Sequence, residues 1–438
     1  NQLNSSFANR WVPGEWKVPT SGGEYAFSAI RNINYFFEQV IPKWKENKIS
    51  GNSANIEHYI GEAYFLRAYE YFSRTQALGD YPIVKTTMKD DLGQLVDASI
   101  RQPRNLVARF ILSDLDSAIT LLKTPSPNQQ NRVSKNVALL FKSRVALFEA
   151  TWLNYHKNTA LVPGTANWPG KKSHPNFSLQ IDNEIDFFLT QAMEAAEQVA
   201  DVVPLVENKF ENSYNSSANP YYNMFSDIDL NKYNEVLLWR SYSTALNVSH
   251  NVSNYMNGSG GNSGYSRGLV ENFTMANGLP IYASGSGYKG DDSISTVKTN
   301  RDTRLQLFMK APGELRFTDK NNTNGTPVLE GYPDITGLAE TRYVTGYALK
   351  KGMSYLSAII FRGVEAYLNY IEASYLKNKT INAKAANYWR QIRTRAGINP
   401  DFEITISNTN MNEEAKRDLG AYSAGTILTD KVLYNIRR

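Results

Sequence analysis

The stretch GEAYFLRAYEYFSRTQALGDYPIV, Gly61–Val84, decides the fold. With Ile56 and Ile60 ahead of it, Ala63, Ala68, Tyr71 and Phe72 fall on one face of a helix. Gly79-Asp80 ends that helix, and Pro82 forbids its return. A helix of more than 20 residues with Ala among its buried positions is built to lie close against another helix.

Working outward, the same periodicity recurs. Upstream, Ala29, Ile33, Phe36 and Val40 share a face. Downstream come Val107, Ile111, Leu115, Ala118 and Leu122, then Val137, Phe141, Val145, Phe148 and Trp152. Ile185, Leu189, Ala192, Ala196 and Val199 complete the first half. Ser134 is placed to cap a helix, and Pro125 and Pro127 follow the end of another. Helices near 20 residues with short connections suggest a tetratricopeptide-like array of four helix pairs.

The pattern breaks at Pro204. From there to about 355, Gly, Asn, Ser and Tyr dominate, with strand-like bursts at Glu235–Tyr242 and Asp302–Phe308. Helical spacing then resumes with Ile360, Val364, Leu368, Ile371 and Tyr375, and with Ala385, Trp389, Ile392 and Ala396 before Gly397. The expected organisation is one mostly α-helical domain over 1–438. Its scaffold is about 22–203 and 356–438, bracketing a loop-rich insertion at about 204–355 that is too long to be an ordinary connection.

Composition narrows the function. The 438 residues are 42% hydrophobic and 20% charged, which fits a folded chain with a large core. There is no Cys, so disulfides, thiolate metal sites and cysteine nucleophiles are excluded. The net charge of +5 comes from 47 basic and 42 acidic residues scattered along the chain, so no nucleic-acid partner is expected. No cofactor or metal is expected either. The four His lack zinc-ligand spacing, and Asp227–Asn231 opens like a calcium loop without its Gly and closing Glu. GYSRG, Gly264–Gly268, matches a nucleophile-elbow pattern without the preceding strand. GSGYKG, Gly285–Gly290, matches a dinucleotide pattern without the following helix.

Four motifs in order resemble the SusD/RagB family. In Gly61–Val84 they are Ala63, Leu66, Arg67, Ala68, Tyr71, Phe72, Gly79, Asp80 and Pro82. RVSKNVALLFKSRVALFEATW, Arg132–Trp152, is similar to a second family helix. NFTMANGLPIY, Asn272–Tyr282, is similar to a family turn, with Phe273 where Tyr is usual. FRGVEAYLNYIEASY, Phe361–Tyr375, and QIRTRAGI, Gln391–Ile398, match the closing signatures, with Ile371 in place of Ala.

The resemblance implies a non-enzymatic lipoprotein on the extracellular face of the outer membrane. Such a protein binds an oligosaccharide, in some members a peptide, and delivers it to a SusC-like TonB-dependent transporter. The N-terminal lipid-bearing Cys of the family is absent from this chain, which opens at Asn1, and the family continues beyond Ile436-Arg437-Arg438. Both ends are expected to be trimmed from a longer protein.

The resemblance carries no ligand residues with it. Those are chosen by residue type and place. A sugar ring offers an apolar face to Trp or Tyr and a hydroxyl rim to Asn, Asp or Arg. Trp11 and Trp16 lie in a Pro/Gly loop, and Trp168 lies between Pro163 and Pro169. Tyr255, Asn257, Tyr265, Arg267, Tyr282 and Tyr288 lie in the Gly/Asn-rich region. Loop packing and a transporter interface remain open for each. Trp152, Trp239 and Trp389 are expected in the core. A glycoside hydrolase stays open as well, because it needs only two carboxylates and the chain has 42 acidic residues. An array that binds protein peptides is the third reading.

Overall fold

The computed structural model describes residues 26–126, 131–210, 219–251, 265–309 and 355–438. Among the described residues, six α-helices build the first half: α1 (Ser28–Lys45), α2 (Ser53–Leu78), α3 (Leu92–Ala98), α4 (Arg104–Leu121), α5 (Lys135–Tyr155) and α6 (Ile181–Ala200). Asn52, Asp91 and Ser134 each cap a helix by accepting a hydrogen bond from a first-turn amide. α4 has no cap of its own. Asp80 Oδ1 accepts from the Arg104 amide at 2.8 Å, so the Gly-Asp turn after α2 starts α4 as well.

Consecutive long helices pack side by side: α1 on α2, α2 on α4, α4 on α5 and α5 on α6. Helix Val364–Asn378 then lies against α6 and α5, and helix Ala383–Arg395 against Val364–Asn378. Among the described residues, seven helices of 13 residues or more form this array, one short of four pairs. One continuous apolar core runs from Ile30 to Ile436. Phe141 of α5 touches Phe65 of α2 and Phe361, with ring centroids 5.3 and 6.0 Å apart. Arg144 donates two 2.6 Å bonds to Glu365, 221 residues away, and Asn369 Nδ2 donates to Ser143 Oγ at 2.9 Å.

Strand β1 (Val236–Arg240) pairs antiparallel with β2 (Ala358–Arg362). Glu235, just before β1, is fully buried beneath this junction. The Gly363 amide donates to the Glu235 carbonyl at 2.7 Å, and a Cβ on Gly363 would stand 2.5 Å from Val203. The Gly363 backbone is ordinary α-helical, so what favours glycine there is the close approach of the Val203 side chain, not the turn. A smaller apolar cluster of Tyr221, Tyr222, Met224, Leu230 and Trp239 packs beside β1. A second two-stranded sheet joins β3 (Tyr422–Ser423) to β4 (Thr426–Ile427).

Three expectations are corrected. The core face of α1 is Ile30, Asn34 and Phe37, one step round from Ala29, Ile33, Phe36 and Val40. Asn34 is buried because its side-chain oxygen accepts from Arg67. Residues 302–308 are helical, not extended, because Asp302 accepts from the Arg304 amide at 2.8 Å and starts a turn at Thr303–Phe308. Ile360 belongs to β2 and is exposed, so the helix begins only at Val364.

Of the three Trp expected in the core, Trp239 and Trp389 are buried there, Trp389 stacked on Phe402 at 4.4 Å. Trp152 is half-buried, with the Arg104 guanidinium 4.1 Å over its ring.

Candidate functional site

Trp11, Trp16, Tyr255 and Asn257 lie outside the described residues. Trp168 is described and does not fit a stacking platform: it is 4% exposed. Its Nε1–H donates to Asp80 Oδ2 at 2.7 Å, and its ring lies against His174 and Phe177. The two prolines around it shape a covered loop, not an open one.

The other four residues come together on one surface. Tyr265 is half-buried, packed on a satellite core of Val270, Val297, Leu305 and Met309. Ser266 follows and caps the helix Arg267–Asn272 through the Leu269 amide. This leaves the Arg267 side chain 63% exposed at the start of that helix. Its Nε donates to Glu271 Oε1 at 2.6 Å, one turn along, and its Nη2 donates to Asp291. Tyr288 donates its hydroxyl to the same Asp291, and its ring lies 5.4 Å from the Arg301 guanidinium. Arg301 is fully buried and anchors the floor by donating to the Val270, Phe273 and Val297 carbonyls.

Tyr282 closes the other side. Its hydroxyl donates to Glu414 Oε1 at 2.8 Å and accepts from the Asn410 amide at 2.9 Å. Burial, with the Glu414 carboxylate adding to it, pushes this hydroxyl's pKa well above the usual phenol range. The Arg417 guanidinium lies 5.1 Å over its ring, and Arg417 Nε stands 3.2 Å from Glu271 Oε2. Glu271 thus sits between Arg267 and Arg417 and ties the two tyrosines into one network. Between them the chain runs through Gly285 and Gly287, both with positive φ and open space where a Cβ would be. This backbone can meet a ligand without a side chain in the way.

The result is half-exposed tyrosine rings, an exposed guanidinium and carboxylates already held by arginines. Such a surface can stack on an apolar ring face and bond to hydroxyls. The residue types of the tyrosines and Arg267 were readable in the sequence. Glu271 was readable too, as the partner four residues after Arg267. Asp291 was missed although it stands three residues after Tyr288; Arg417, Glu414 and Arg301 were missed because the fold brings them near. Asp227, at the candidate calcium loop, is instead occupied by Lys232 at 2.7 Å and by the Tyr233 hydroxyl. Among the described residues no group of three His, Cys, Asp or Glu side chains is arranged to hold a metal.

Two sequence families match this chain. The SusD family matches residues 204–419, and a family described as starch-binding, associating with outer membrane, matches residues 9–147. No curated protein matches it. Among solved structures, a SusD-like protein from Bacteroides fragilis NCTC 9343 has a TM-score of 0.56 at 18% identity. The match covers 93% of this chain and 72% of that one. A SusD-like carbohydrate-binding protein from the same strain has a TM-score of 0.57 at 14% identity, covering 93% and 68%. A structure solved with a xylogluco-oligosaccharide has a TM-score of 0.50 at 17% identity, covering 94% and 68%.

Proposed function

The chain belongs to the SusD/RagB family, and on that premise we propose that it binds an oligosaccharide without cleaving it, on the surface of Tyr265, Arg267, Tyr282 and Tyr288. It passes the bound glycan to a SusC-like TonB-dependent transporter and works on the extracellular face of the outer membrane. The whole chain acts as one domain, with the segment 204–355 supplying the ligand face.

The observation that carries this reading is the pair of half-exposed rings, Tyr282 and Tyr288, held by a shared Arg–carboxylate network beside glycines that leave the backbone open. A neutral sugar needs no net charge from the site. Stacking removes apolar area from water, whereas each hydroxyl bond replaces a bond to water and adds little. The carbohydrate-binding relative and the relative solved with a xylogluco-oligosaccharide support the ligand class. The family description of outer-membrane association supports the location.

The test is a glycan array on the purified chain, calorimetry on each hit, and chromatography of the ligand after long incubation. Binding with an intact ligand is expected. Turnover that vanishes when a single carboxylate is changed would instead make this a glycoside hydrolase. Selective capture of peptides would move it to the peptide-binding branch.

A further inference from the structure

Beside the tyrosine surface, a cleft of about 630 Å³ opens between helices Val364–Asn378 and Ala383–Arg395 on one side and residues 269–274 and 418–438 on the other. Six arginines line it: Arg304, Arg362, Arg393, Arg395, Arg437 and Arg438. Among the described residues, two acidic side chains join them, Asp302 and Asp418.

The arginines are unevenly neutralised. Arg304 is held by Asp302, Arg437 by Glu372 and Arg438 by Glu414. Arg395 and Arg362 share one carboxylate: Glu235 takes two 2.8 Å bonds from Arg395 Nη1 and stands 3.5 Å from Arg362 Nε. Asp418 accepts from the Tyr434 hydroxyl and the Gly420 amide instead of from an arginine. Arg393 is buried, yet among the described residues it has no carboxylate partner. Its bonds go to the Asn399 and Asp401 carbonyls and to Thr405 Oγ1. Burial lowers its pKa to about 10; the Asp302 and Asp401 carboxylate charges oppose the shift without bonding to it, and Arg438 and Arg304 add to it. Among the described residues, Arg395 Nε and Arg362 Nη1 are buried without a hydrogen-bond partner. A guanidinium left short of acceptors in a low-dielectric cleft costs stability that an incoming anion recovers.

The mouth is not merely basic. Tyr422 is 42% exposed there, and Leu269 and Leu368 are exposed beside it. An aromatic ring and apolar surface around an arginine floor match a sugar that carries an acidic group, and the volume suits a ligand of one to a few rings.

We propose that this cleft binds the anionic group, carboxylate or sulfate, of an acidic saccharide, and so gives the protein a preference for acidic over neutral glycans. The proposal rests on the glycan-binding reading of the neighbouring surface. It adds the substrate class.

The test uses the full chain and three probes: a galacturonic acid trisaccharide, a sulfated chondroitin tetrasaccharide and a neutral xylogluco-oligosaccharide. Calorimetry at low and high salt is expected to show an acidic probe binding at least about tenfold tighter than the neutral one at low salt, with the gap narrowing at high salt. Binding of the galacturonic acid probe identifies a carboxylate; binding of the chondroitin probe alone, which carries both groups, is resolved by comparing it with unsulfated chondroitin. Arg393→Gln is expected to remove the preference, but it also loosens the 399–405 turn. Arg362→Gln is therefore the second variant, since Arg395 keeps Glu235 neutralised without it. It is expected to weaken the acidic probe about tenfold and leave both the neutral probe and the melting temperature unchanged. Equal affinity for acidic and neutral probes, or acidic binding untouched by Arg362→Gln, overturns the proposal and leaves glycan binding standing. Failure of all three probes, extended to the whole array, removes the glycan reading and this proposal with it.

Discussion

Asp80 accepts the indole N–H of Trp168 at 2.7 Å while its other oxygen caps α4 through the Arg104 amide. One carboxylate thus fixes the turn after α2, the start of α4 and a loop 88 residues further along. Burial raises the Asp80 pKa despite these bonds and the nearby Arg104 and Arg101 charges, as expected for a carboxylate kept mostly from water.

Trp168 is therefore expected to matter for folding and not for ligand contact. Trp168→Ala empties a buried site and orphans Asp80, and should cost on the order of 3–5 kcal/mol. Trp168→Phe keeps most of the packing and loses the hydrogen bond, for about 1–3 kcal/mol. Denaturant titration measures both, and glycan titration of the Phe variant should match the parent. Parental stability with weakened glycan binding would return Trp168 to the binding surface.

The family-like Arg67 makes a second prediction. Its Nε and Nη2 bond to Asp114 at 2.7 and 2.8 Å, and its Nη1 bonds to Asn34. The guanidinium also lies 4.7 Å from the Phe37 ring and 5.2 Å from that of Phe110. Asp114→Ala leaves a buried cation unpaired and should cost about 3–5 kcal/mol. The double variant Arg67→Met with Asp114→Leu should be more stable than Asp114→Ala alone, because both charges leave together. A double variant that is less stable than the single one would show that the pair is worth more than apolar packing in its place.

These buried polar groups mark what the sequence could and could not show. Val107, Ile111, Leu115 and Ala118 were legible because an apolar line on α4 needs nothing but period 3.6, and all four are buried. The α1 face was misread by one step because Asn34 looks like a surface residue until Arg67 arrives from α2. Residues 302–308 read as a strand because Leu305 and Leu307 alternate, while the capping power of Asp302 carried no weight in that pattern. At the candidate site, residue type singled out Tyr265, Arg267, Tyr282 and Tyr288 as candidates. Glu271 and Asp291 stand four and three residues from Arg267 and Tyr288, but the links from Arg267 to Asp291 and from Tyr282 to Glu414 span 24 and 132 residues, which no local spacing reports.

His58 gives the stability a pH dependence. It is fully buried; Nδ1 accepts from the Lys123 amide at 3.2 Å, and Nε2 stands 3.4 Å from Glu62. Burial lowers its pKa below 6.5, with Arg132 and Lys123 acting in the same direction and Glu62 opposing them. A second proton would sit on Nδ1 and break the Lys123 bond. A depressed folded pKa means that this contribution is complete above pH 6.5 and is lost as pH falls through the folded value. Melting temperature should therefore fall on acidification from neutral, and fall less in His58→Gln, which cannot charge. Parallel curves for the two proteins would show that other groups govern that range.

Tyr282 and Tyr288 should part company on mutation, although both face the proposed ligand. The Tyr282 hydroxyl bridges Glu414 and the Asn410 amide, so Tyr282→Ala removes two bonds that hold residues 410–414. It should lower stability by about 1–3 kcal/mol, and any loss of affinity is then mixed with loosening of that segment. The Tyr288 hydroxyl bonds to Asp291, and Arg267 also holds that carboxylate. Tyr288→Ala should leave the melting temperature nearly unchanged. If its ring stacks on a sugar, affinity for a neutral oligosaccharide should fall by about 2 kcal/mol, the scale of an interface hot spot. Tyr288→Phe separates ring from hydroxyl: it should keep most of the affinity, because stacking needs the ring and Arg267 still anchors Asp291. Affinity lost equally in Tyr288→Phe and Tyr288→Ala would place the binding energy in the hydroxyl network. Affinity retained in both would move the stacking surface away from this tyrosine.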